Sequence, residues 1–161
     1  MRSKKKYGQK IEVHVPTHIT ASLEFASGVL GTFMNSYDIR GGHHLPWIEI
    51  YGTEGTLVAP NPNAFGGEPH VRRTAEPDAG WQAVPLSRGY TGTSRGIGAA
   101  DLAAAVFQDR PHRANADLAY HILEVCNAIY TAGESGRTVA VASTIERPLP
   151  FPDGLTADIE E

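Results

Sequence analysis

The chain has 161 residues, 41% of them hydrophobic and 20% charged, which suits one soluble domain able to bury a core. A net charge of −4 gives no electrostatic case for nucleic acid or an anionic membrane surface, and the basic run Arg2 to Lys6 reads as a solvated tail. No stretch approaches the ~18 continuous apolar residues of a membrane span, and no apolar run follows the basic N-terminus as in a secretion signal. A single cysteine, Cys126, rules out an intrachain disulfide and fits a reducing compartment, so a cytoplasmic location is expected.

Thr17 to Phe25 alternates, with Ile19, Ala21, Leu23 and Phe25 on one face and His18, Thr20, Ser22 and Glu24 on the other. Ser27-Gly28 signals a two-residue turn, followed by a return strand from Val29 to Ile39. That loop length pairs Phe25 with Leu30, Ala21 with Met34, Ser22 with Phe33 and His18 with Tyr37. One face then carries Leu23, Phe25, Leu30 and Met34. The other carries Val29, Phe33, Tyr37 and Ile39 opposite polar partners, and an ordinary solvent-facing sheet would not need so many apolar groups there.

Trp47 to Ala59 reads as a second hairpin, with Ile48, Ile50 and Gly52 alternating with Glu49 and Tyr51 and the reversal at Thr53-Glu54-Gly55. Pro60 to Gly67 is too rich in Pro, Asn and Gly for regular structure. His70 to Thr74 and Trp81 to Leu86 are short candidate strands around a turn at Glu76 to Gly80, and Ser87 to Gly98 reads as a loop. Ala99 to Gln108 is an Ala-rich helix that Pro111 cannot continue.

Asn115 is a plausible N-cap for a longer helix ending near Gly133 or Gly136, with Leu118, Ile122, Val125, Ile129 and Ala132 as its apolar stripe. Cys126 flanks that stripe and is expected in the core, and His121 reads as a partly buried, hydrogen-bonded histidine. Thr138 to Ala142 is a candidate last strand, and the Pro-rich tail after Arg147 is irregular. Strands first and helices after make an α+β domain: one open, mainly antiparallel sheet with helices packed on one face, spanning 1–161.

The chemistry-bearing patterns are incomplete. Gly96-Ile97-Gly98-Ala99-Ala100 follows a polar loop, not a strand, and Asp117 falls at a helix start, so a dinucleotide fingerprint is not formed. None of the seven histidines has a zinc spacing with both halves present. There is no Gly-x-Ser-x-Gly elbow, and the carboxylates of Glu160 and Glu161 sit on a tail. No catalytic, cofactor-binding or metal-binding residue is assigned.

Several blocks, in order, carry a resemblance. They are Val15-Pro16-Thr17-His18, Phe25-Ala26-Ser27-Gly28-Val29, Ile48 to Leu57 and Asn61 to Gly67. Arg95 to Asp101, Arg110-Pro111-His112-Arg113-Ala114 and Leu118 to Val125 complete the series. From about Val13 to Pro150 the chain resembles the second, C-terminal domain of the glucose–fructose oxidoreductase/inositol dehydrogenase/rhizopine catabolism (Gfo/Idh/MocA) oxidoreductases.

The resemblance implies the substrate-side and oligomerisation domain of an enzyme that uses NAD or NADP on sugars or polyols. The family's first domain holds the cofactor loop, a Glu-Lys-Pro segment with the catalytic lysine, and a His paired with Asp. None of these has a counterpart here, so the dinucleotide-binding domain is expected to be absent and the chain inactive alone.

Four loop residues, Arg95, Tyr90, His44 and Asn63, are expected to face substrate. Val29, Phe33, Tyr37 and Ile39 are expected to form a homo-oligomer interface, in the simplest case a two-fold dimer. A stand-alone ligand-binding or assembly protein that lost its redox half is the alternative reading, and an unrelated α+β enzyme is a third.

Overall fold

The computed structural model describes residues 8, 9, 12–37, 39, 42–87, 89–92 and 95–151. Contacts divide the chain into two compact units, Met1–His44 and Leu45–Glu161, each described by itself below. The class is α+β, with antiparallel strands in a two-stranded and a four-stranded sheet and two α-helices.

The first unit is a ribbon of β1 (His18–Glu24) and β2 (Leu30–Ser36). Its turn differs from the sequence expectation. The Phe25 N–H donates to Val29 O at 2.9 Å and the Gly28 N–H to Phe25 O at 2.8 Å, so Ala26-Ser27-Gly28 is a three-residue loop. Gly28 sits at φ +84°, the left-handed position that such a loop requires at its last residue.

One extra loop residue moves the register by one. Ala21 pairs with Phe33 and Thr20 with Met34, not Ala21 with Met34; Tyr37 donates its N–H to Thr17 O and not across from His18. Because facing pairs share a side, Phe33 joins Ile19, Ala21 and Leu23, while Leu30 and Met34 join Glu24 and Thr20. The expected Leu23/Phe25/Leu30/Met34 face does not exist. Phe25 keeps company with Leu23, its ring close over Gly31: a Cβ there would meet Phe25 Cε2 at 3.4 Å. β2 is also shorter than the expected 29–39.

In the second unit the four-stranded sheet runs β3 (Ile48–Gly52), β4 (Gly55–Ala59), β5 (His70–Arg73) and β6 (Gln82–Ala83), all neighbours antiparallel. The β3–β4 hairpin forms as its alternation predicts, with Gly52 paired to Gly55 across Thr53-Glu54. β4 is flanked on both sides and partly covered along its length, whereas β3 is an edge strand whose Ile50 is 56% exposed. The expected strand over Trp81 to Leu86 reduces to Gln82–Ala83, and the turn before it is a short 3-10 helix, Pro77–Ala79.

Helix α1 (Ile97–Phe107) starts from Gly96 at φ +96° and ends through Asp109 at φ +49°, which lets the Arg110 N–H reach Ala105 O. Helix α2 (Ala116–Ser135) has both expected caps: Asn115 Oδ1 accepts from the Leu118 N–H at 2.8 Å, and Gly136 closes it at φ +64°. Its stripe is only partly covered, with Ile122 at 54% exposure.

Cys126 is exposed rather than in the core, as are Ile122 and Leu123 one turn earlier on α2. Residues 138–142 form no strand. Among the described residues no helix is long and apolar enough to cross a membrane.

Candidate functional site

Ala105 and Asp101, both on α1, are the buried residues of the described chain, and Asp101 is a charged group. A carboxylate in that position requires partners, because an unpaired buried charge is strongly unfavourable. The turn after α1 supplies them. Asp101 Oδ1 accepts from Arg110 Nη2 at 2.9 Å and closely from Arg113 Nη1, and Oδ2 accepts from the Arg113 backbone N–H at 2.8 Å. Burial alone would raise the carboxyl's pKa. The Arg113 N–H and the two guanidiniums outweigh it and hold the pKa below the ordinary aspartate value.

All three nitrogens of each guanidinium take part in this arrangement. Arg110 also donates to Gln108 Oε1 and Pro111 O. Arg113 also donates to Leu149 O at 2.8 Å and Pro150 O at 3.1 Å, and lies 4.2 Å over the Phe151 ring.

Beside this node lies an open cleft of about 850 Å³, walled by the α1–α2 turn, the first turns of α2 and residues 143–149. His112, Asp117, Tyr120, Glu146 and Arg147 bring mixed charge and a phenol to a wall that also holds Pro111, Ile145, Pro148 and Leu149. Deeper along α2, the Glu124 carboxylate accepts from the N–H groups of Ala142 and Ser143, each at 2.9 Å. Bonds from the Ser143 hydroxyl and these two amides, aided by nearby His121, hold the Glu124 pKa below the usual range, against the opposing effect of desolvation. His121 Nδ1 lies 2.7 Å from Ser143 Oγ, so this histidine is the partly buried, hydrogen-bonded residue that its sequence position suggests.

The four residues singled out for substrate fall as follows. Tyr90, at φ +66°, places its ring 5.5 Å from Phe151 at a 51° tilt, next to the Arg113 node. Asn63 lies on a loop shaped by Asn61, whose Oδ1 accepts the Asn63 N–H at 2.9 Å. That loop comes up against the Tyr90 segment: a Cβ on Gly66 would fall 2.3 Å from Thr91 O. Arg95 is exposed in the turn that enters α1, and His44 is exposed at the end of the first unit.

Val29, Phe33, Tyr37 and Ile39 are all exposed, at 60%, 37%, 77% and 42%. Asp101, Arg110 and Arg113 were not singled out from sequence, although each lies inside a block that carried the resemblance. Among the described residues no cluster of three or more His, Cys, Asp or Glu is placed to hold a metal ion.

Residues 2–58 match the family model of the GFO/IDH/MocA C-terminal domain. The matched stretch is roughly a third of the chain and holds β1, β2, β3 and nearly all of β4. It bears out the resemblance drawn from Val15 to His18, from Phe25 to Val29 and from Ile48 to Leu57. No curated protein and no solved structure matches the chain. For full-length Gfo/Idh/MocA relatives the match suggests NAD or NADP as cofactor.

Proposed function

We propose that this chain is the substrate-side and assembly domain of a Gfo/Idh/MocA-like, NAD(P)-dependent oxidoreductase of sugars or polyols, and that it is cytoplasmic and inactive alone. The observation that carries the reading is the β1–β2 ribbon inside the family-matched stretch. Val29, Phe33 and Tyr37 share one face with Ile19, Ala21, Leu23 and Phe25, and the first three remain exposed. The face is more apolar than a two-residue turn would have made it. Covering it stabilises association by ~25 cal/mol per Å² of apolar area, less the cost of association. A two-fold contact covers it twice with one self-complementary patch. Tyr90, Arg95, Asn63 and His44 are the loop groups assigned to the substrate side.

Sedimentation or light scattering at high micromolar concentration is expected to show a dimer or larger species. Phe33→Glu is expected to weaken it by at least about tenfold, because the change places a charge in an apolar contact. A strictly monomeric native chain would overturn the assembly role.

Calorimetric titration with NAD, NADH, NADP and NADPH is expected to show no low-micromolar binding, since among the described residues no strand leads into the Gly96-Ile97-Gly98 helix entry. A low-micromolar dissociation constant for any of the four would contradict the division of labour.

A further inference from the structure

Residues 138–151 follow α2 with neither helix nor strand of their own. An extended stretch of this kind normally satisfies its backbone in a sheet. Here the hydrogen bonds described for residues 138–150 run to side chains instead. At one point the Glu124 carboxylate takes the amides of Ala142 and Ser143, with His121 bonded to the Ser143 hydroxyl. At the other, Arg113 takes the carbonyls of Leu149 and Pro150 and stacks on Phe151. The residues between these two pins, 143–149, form one wall of the cleft beside α2.

From this two-point attachment we infer that residues 138–151 are a separable strap that closes one wall of the cleft and opens by leaving Glu124, with α2 intact. A segment in a sheet ladder is held at every second residue and leaves only when the sheet does. A segment whose near end is pinned by one carboxylate frees that end when two N–H bonds and one hydroxyl contact break together, while Arg113 still holds the far end. Helix α2 needs nothing from the strap to remain helical, since its caps are its own Asn115 and Gly136. The strap belongs to the second unit and does not depend on whether the β1–β2 face associates.

Amide hydrogen exchange on the full chain, read residue by residue by NMR, tests this. In the native protein the Ala142 and Ser143 amides should exchange with protection at least about tenfold below that of Val125 and Ile129, as a local opening does. In Glu124→Gln the side-chain amide keeps one acceptor but presents N–H₂ to the second donor. Exchange at 142 and 143 should then rise by about tenfold further, while Val125 and Ile129 change by less than about twofold.

Equal protection of the two amides and the centre of α2 in the native protein would overturn the inference. So would a Glu124→Gln protein in which α2 accelerates alongside them, or in which neither amide changes. If that variant does not fold, the native comparison decides alone.

Discussion

Replacing Asp101 with asparagine is expected to destabilise the fold by about 3–5 kcal/mol, the usual consequence of removing one partner from a buried ion pair. The carboxylate is 6% exposed and accepts from both Arg110 and Arg113. An asparagine leaves the guanidiniums without a counter-charge and points N–H₂ at a donor. The same residue sets an acid limit. Its folded pKa lies below the ordinary 3.8, so the unfolded chain takes up the proton first as pH falls. The stabilisation is therefore complete above that value and is lost as pH drops through the lower, folded one. Urea denaturation of native and Asp101→Asn proteins should differ most at neutral pH and converge as the pH falls through the lowered, folded pKa. A difference that persists undiminished in acid would assign the effect to packing rather than charge.

Gly55→Ala is the second large effect, at about 2–4 kcal/mol of lost stability from steric overlap and backbone strain together. Gly55 has φ +154°, and a Cβ there would sit 2.2 Å from Arg72 O and 3.1 Å from Arg73 Cα on β5. Those atoms are backbone in a ladder and cannot step aside without breaking the Gly55–Arg73 pairing. Gly52→Ala, directly across the hairpin, is the control. Its Cβ would meet only Gly55 O, at an ordinary 3.6 Å, and the cost should stay under about 1 kcal/mol. Denaturant midpoints for the two variants should separate clearly; equal midpoints would mean that β5 yields to the intruding methyl group.

What could be read in advance was local. Alternation and the Gly-marked reversal at Thr53-Glu54-Gly55 specify the Ile48–Leu57 hairpin within ten residues, and Asn115 marks the start of α2, with Gly136, one of two candidate glycines, at its end. Ser27-Gly28 misled because glycine serves both loop lengths: it fits a two-residue turn, and equally the left-handed last position of a three-residue one. The Asp101 node was invisible because its partners are 9 and 12 residues away. They reach it only through the left-handed step at Asp109, which no propensity demands of an aspartate. The segment after Gly136 looked like a strand because Thr138, Val139 and Val141 favour extended backbone. Composition could not tell whether its amides would meet a sheet or the carboxylate of Glu124.

The three residues Ala26-Ser27-Gly28 also bear on how such a ribbon can change over generations. Surface loops commonly absorb insertions and deletions with little penalty. In this ribbon the residue that opens the loop, Ala26 rather than Ser27, decides which side Phe33 occupies. Were Ala26 to leave the loop and pair with Val29, the return strand would turn over, trading Phe33 for Met34 beside Ala21, without altering any side chain in either strand. The choice of which side chains share a face of the ribbon thus rests in the turn rather than in the strands.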